Sequence, residues 1–151
     1  MILLDRYINW DKAAIEMIRR HQDAIYALDA LRDEKDALNA NIGNIGAMDY
    51  ERPRVASSGG DAQDTIVNRL LRMDTIDTRI QAMEREMQAY DRAWSQLSET
   101  ERAVLHEFFQ CGNRPSQRAV EILCEECGYE RRKIYNMRRD AVKHFKFLLV
   151  S

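Results

Sequence analysis

The chain has 151 residues, a formal net charge of −2, 32% charged residues and seven methionines, but only six glycines and two prolines. So few turn formers leave little for a strand-and-turn fold and suit long helices in one or two small domains. No apolar run approaches the roughly 20 residues that a bilayer span needs, and the opening MILLDRYINWDK lacks the basic n-region of a secretory signal. Three cysteines cannot all pair, so a cytoplasmic protein with reduced thiols and no membrane association is expected.

From Leu4 to about Ile42, apolar or small residues recur at Tyr7, Ala14, Ile18, Ile25, Leu28, Leu31, Leu38 and Ile42, with charges in the gaps. This spacing predicts an amphipathic helix, interrupted by His21 and Lys35 where the stripe calls for apolar residues. The segment GNIGAMDYERPRVASSGGDAQD, residues 43–64, holds four of the six glycines and one of the two prolines. It predicts a flexible loop. A second stripe follows at Ile66, Leu70, Met73, Ile76 or Asp77, Ile80, Met83, Met87, Tyr90, Trp94 and Leu97. Its spacing stays near 3.5 residues for about four heptads, which is coiled-coil periodicity, and Asp61 or Asp64 is the expected N-cap. Met73, Met83 and Met87 read as seam fillers, although a methionine face can also serve promiscuous binding. Two such helices joined by one loop predict an antiparallel hairpin, closed within the chain or with a second copy.

After Leu97 the pattern changes. Ser98 and Glu101 have capping-box spacing, and Val104, Leu105, Phe108 and Phe109 form the apolar side of a helix ending near Cys111 and Gly112. Pro115 and Ser116 start another helix with Ala119, Val120, Ile122 and Leu123 on its buried side, and Gly128 stops it. A last helix is expected from Glu130, read as its cap, to Leu149. Three short helices ending in a basic one outline a helix-turn-helix domain. The spacing sharpens this: Cys124 stands at the helix crossing, Gly128 in the turn and β-branched Ile134 six residues further on. Leu123, Cys127, Ile134 and Met137 then form the underside. Arg131, Arg132, Lys133, Tyr135, Asn136, Arg138, Arg139 and Lys143 are the candidate DNA-binding residues, with Arg131, Arg132, Tyr135 and Asn136 nearest base edges and Arg138, Arg139 and Lys143 on phosphates.

Charge supports that division. Residues 1–113 carry 14 Lys+Arg against 20 Asp+Glu, whereas residues 128–151 carry seven against two. Cys124 and Cys127 read as packing side chains under the turn, since a zinc site would need Cys111 and His106 as a second pair and a redox role would need a βαβ setting. No cofactor is expected. His21, His106 and His144 lie on separate predicted helices, with no GxSxG, HExxH or phosphate-cradling loop nearby, so the residues argue against an enzyme.

LSETERAVLHEFF followed by GYERRKIYNMRRDAVKHF resembles region 4 of bacterial sigma factors. In that pattern a Leu-x-x-x-Glu-Arg-x-Val-Leu helix precedes the motif, a glycine opens the recognition helix, and Ile134, Met137, Ala141 and Phe145 fall on the apolar positions without a gap. The chain departs from it in having about five extra residues near Asn113–Arg118 and a cysteine in place of the usual alanine at 124. With a long helical region ahead of it, the whole resembles phage late-operon transcriptional activators of the ArpU and RinA kind; the likeness covers residues 97–149 by sequence and 1–96 by architecture alone. The resemblance implies an all-α protein: a helical hairpin and oligomerisation region over 1–96, then a helix-turn-helix domain over 97–151. It also implies a DNA-binding transcriptional regulator, a phage or prophage activator acting in a bacterial host, with double-stranded DNA, RNA polymerase and a second copy of the chain (a dimer) as partners. A small-terminase-like packaging subunit and a helical protein-binding adaptor are the alternatives that the same outline allows.

Overall fold

The computed structural model describes residues 9–48 and 59–151. Among them the fold is all-α, with no strand. Its elements are α1 (Trp10–Met48), α2 (Gly59–Gln96), α3 (Glu99–Leu105) continued by a π-helical turn (His106–Gln110), α4 (Ser116–Cys127) and α5 (Arg131–Val150). None of the described helices is long and apolar enough to cross a membrane. Asn9 starts α1 by accepting the Lys12 amide on its side-chain oxygen at 3.0 Å. The glycine-rich stretch is helical at both ends: α1 runs on to Met48 and α2 begins at Gly59. Of the loop expected over 43–64, residues 43–48 and 59–64 are helical instead, and residues 49–58 lie outside the described residues. A glycine inside a helix costs about 1 kcal/mol, too little to stop a long helix by itself. Asp61 and Asp64 lie within α2 rather than capping it.

The chain forms two compact units. One comprises Ala24–Glu86, and the other joins α1 up to Asp23 with Met87–Ser151. In the first unit Leu28, Ile76 and Ile80 are buried, while Ile25, Leu31, Leu38, Met73 and Met83 are half-buried. Leu70, expected in the seam, is half exposed at 50%. Ion pairs between the helices define an antiparallel hairpin: Arg32 with Glu84 at 3.0 Å, Lys35 with Asp77, and Arg72 with Glu34. The lysine that interrupts the first stripe thus meets the aspartate that interrupts the second. Paired polar groups at seam positions specify register more than they add stability.

The second unit holds the main core. Ala14 and Ile18 from α1 and Tyr90, Ala93 and Leu97 from α2 join Val104, Leu105, Phe108, Phe109, Val120, Leu123, Ile134, Ala141, Val142 and Phe145. His21 stacks on Tyr90 with ring centroids 3.7 Å apart, and Tyr90 meets Phe145 edge-on at 5.3 Å. The capping box at α3 forms as its sequence predicts: the Glu101 amide donates to Ser98 Oγ at 3.1 Å, and the Ser98 amide donates to Glu101 Oε1 at 3.0 Å.

Candidate nucleic-acid interface

The turn between α4 and α5 sets the direction of the basic helix. Gly128 takes a left-handed conformation, φ 72° and ψ 16°, and its N–H donates to the Cys124 carbonyl at 2.9 Å. This single bond closes the last turn of α4 as an αL C-terminal motif, which only glycine adopts without strain. Glu130 occupies the N-cap position of α5, and its carbonyl accepts the Ile134 amide at 3.1 Å. Its side chain makes no capping bond, contrary to the expected role.

Ile134 is fully buried beside Leu123 and Val120 in the shared core, and Cys124 and Met137 pack against it half-buried. Cys127, expected on the same underside, is exposed. It is the last residue before the glycine turn, where the chain has already begun to leave the α4–α5 contact. Among the described residues Cys124 and Cys127 belong to no cluster of ligand-bearing side chains, whereas His106, Glu107 and Cys111 come together.

With Ile134 anchoring the inner side, the opposite side follows from about 100° per residue. Arg132, Asn136, Arg139 and Lys143 fall within about 60° of one another on that side, and all four are exposed. Arg131 and Tyr135 flank the row on one side and Lys133 on the other, also exposed. Lys133 Nζ lies 3.8 Å from the centre of the Tyr129 ring, which steadies its ammonium over an aromatic face. Arg139 Nε lies 3.5 Å from the exposed Asp140 carboxylate.

Arg138 differs from its neighbours. It is half-buried, with its guanidinium 4.8 Å from the Phe108 ring centre and 5.0 Å from that of Tyr135. The side chain therefore ties α5 to the π-helical turn. Sequence reasoning placed Arg138 with the outward arginines; the signal for its packing was Tyr135 three residues before it on the same face.

A second tie runs along the helix. His144 Nδ1 lies 2.8 Å from Glu101 Oε2, so the carboxylate that caps α3 also holds α5. Burial opposes ionisation of Glu101, yet bonds from the Ser98 amide, His144 and the Ser98 hydroxyl outweigh it and hold the carboxyl below its ordinary pKa. Underside, glycine turn and these ties fix one orientation for a helix whose outer side carries arginine, asparagine and lysine. Such a side can pair with phosphate oxygens and with the acceptor edges of purines. No family model, curated protein or solved structure matches the chain.

Proposed function

We propose that the chain is a DNA-binding regulator of transcription that places α5 in the major groove, acting as a phage or prophage activator of the sigma-region-4-like kind. The observation that carries this reading is the exposed row of Arg132, Asn136, Arg139 and Lys143 on a helix whose other side is fully buried through Ile134. A single α-helix fits the B-DNA major groove, and its N-terminal residues reach base edges. On this reading Arg131, Arg132, Tyr135 and Asn136 contact bases. Lys133, Arg139 and Lys143 grip phosphates, and Arg138 steadies the helix from behind. The hairpin would supply dimerisation or a surface for RNA polymerase, and a dimer engaging two half-sites gains affinity from effective concentration.

Selection of bound duplexes from a random pool tests the proposal. It expects an enriched motif, with Arg131→Ala or Arg132→Ala relaxing preference at one or two positions at a cost of about 1–3 kcal/mol. Lys143→Ala should weaken specific and random duplexes alike and lower the salt dependence. Absence of duplex binding even at low salt defeats the proposal, and a ring of many copies in light scattering turns it towards a packaging role.

A further inference from the structure

We propose that His106, Glu107 and Cys111 form a binding site for a divalent transition-metal ion of the zinc type, built by the π-helical turn that joins α3 to the segment before α4.

The backbone explains why these residues meet. In an α-helix, residues five apart point about 140° away from each other. The π-helical turn His106–Gln110 closes i→i+5 hydrogen bonds, and its wider coil brings the side chains of 106 and 111 towards one side. His106 Nε2 then lies 3.6 Å from Cys111 Sγ, which lies 3.9 Å from Glu107 Oε2, and one donor atom from each residue lies within 4.8 Å of the others. Zinc bonds of about 2.0 Å to nitrogen and about 2.3 Å to sulfur give tetrahedral edges of roughly 3.5 Å. The two edges at Cys111 are close to that value, and the third, between His106 and Glu107, is no longer than 4.8 Å.

Groups outside the three residues orient the donors. Gln110 Nε2 donates to the Tyr90 hydroxyl at 2.9 Å, which turns the Gln110 carbonyl oxygen towards His106 Nδ1 at 3.0 Å. His106 then donates from Nδ1 and presents the bare Nε2 lone pair to Cys111. A ligating histidine characteristically donates its other ring nitrogen to a carbonyl in this way. Arg114 Nη2 donates to the carbonyl of Glu107 and to its Oε2, the carboxylate oxygen that also faces Cys111, and so fixes that side chain. Gly112, at φ 76°, turns the chain away directly after Cys111.

The donor set selects the ion. A thiolate with an imidazole suits zinc, cobalt or nickel and disfavours magnesium and calcium, which take oxygen ligands. Three protein ligands leave a fourth position to water. On binding, the Cys111 thiol releases its proton to solvent as the metal–sulfur bond forms, so affinity rises with pH. The ion would brace the connection from which α4 starts. The site stands independently of any DNA binding by α5.

Chelator-stripped, reduced full-length protein titrated with Co²⁺ tests the site. One equivalent should produce a thiolate charge-transfer band in the near ultraviolet with the visible bands of four-coordinate cobalt, and Zn²⁺ should displace it. Cys111→Ser should abolish the charge-transfer band, and Gln110→Ala should weaken affinity by about tenfold or more. Cys124→Ser and Cys127→Ser should leave both spectra and affinity unchanged. His106 is exposed, so His106→Gln leaves the core intact, and this variant should weaken Zn²⁺ binding with unaltered circular dichroism. Failure to saturate, binding indifferent to Cys111→Ser and His106→Gln, or loss through Cys124 or Cys127 instead would each overturn the proposal.

Discussion

Replacing Gly128 with alanine separates backbone strain from steric crowding at the α4–α5 turn. A Cβ built on Gly128 meets nothing within 4 Å, so the substitution introduces no clash. What remains is the backbone: φ is 72°, and an L-residue in the left-handed region costs roughly 1–2 kcal/mol. The smaller conformational freedom of the unfolded alanine chain returns about 0.4–1 kcal/mol. A net loss of about 1 kcal/mol is expected in urea unfolding, seen as a lower midpoint at unchanged slope. Asparagine, which tolerates this region, should fall between glycine and alanine, and β-branched valine should fall below alanine. A loss above 3 kcal/mol for alanine would mean that the turn is crowded. A gain in stability would mean that it is not left-handed. Either outcome refutes the account of how α5 is aimed.

Three further outcomes follow from the same packing. Ser98→Ala removes one half of the capping box and should cost about 1 kcal/mol in the same assay; an unchanged midpoint would show that α3 does not depend on that bond. Burial holds His21 below the ordinary histidine value of 6.5, against the pull of Asp91, so the unfolded chain takes up the proton first. His21 stability is therefore complete above pH 6.5 and is lost as pH falls from there towards the folded value, so its loss begins at higher pH than that of Glu101, whose window opens below 4.5. His21→Phe, keeping a ring against Tyr90, should flatten the midpoint between those limits, and a persisting slope would assign it elsewhere. A fragment of residues 97–151 lacks Ala14, Ile18, Tyr90 and Ala93 of the shared core and should melt without a cooperative transition, whereas a sharp thermal unfolding would show those residues to be dispensable.

The motifs that were legible in the sequence are those whose physics is local. Ser98 and Glu101 need only each other three residues apart, and Gly128 and Ile134 need only a fixed spacing across one turn, so each appears where its residues predict. Three features were not legible. The π-helical turn carries the buried Phe108 and Phe109, and HEFFQ holds no proline or glycine that would separate it from an ordinary helix. The exposure of Cys127 depends on where α4 stops touching α5, a matter of helix crossing rather than composition. The ends of the glycine-rich stretch are helical because each glycine penalty is small against a long run of backbone hydrogen bonds. Spacing and exposure nominate the outward residues of α5 equally, so any role of each in the proposed DNA contact is a matter for the selection experiment.

The boundary between the two units carries the deeper lesson. Sequence periodicity reports that a face is buried, not what it is buried against. The second stripe keeps its spacing from Ile76 to Leu97 without a break, yet Ile76 and Ile80 lie in the hairpin unit while Tyr90, Ala93 and Leu97 lie in the helix-turn-helix core. The change of neighbours along α2 falls before the change of helix at 96/97. The signal was in side-chain size. Through Met83 the stripe is aliphatic or methionine, as a two-helix seam requires, and then it turns to Tyr90 and Trp94. Rings of that volume need more than one facing helix. Tyr90 has His21 on one face and Phe145 at its edge, while Trp94 meets Phe145 at 6.1 Å. To the same core α1 supplies Ala14 and Ile18, both buried. Large aromatics on α2 thus mark the point where a third element, α5, joins the packing through Phe145 and a two-helix seam gives way to a multi-helix core.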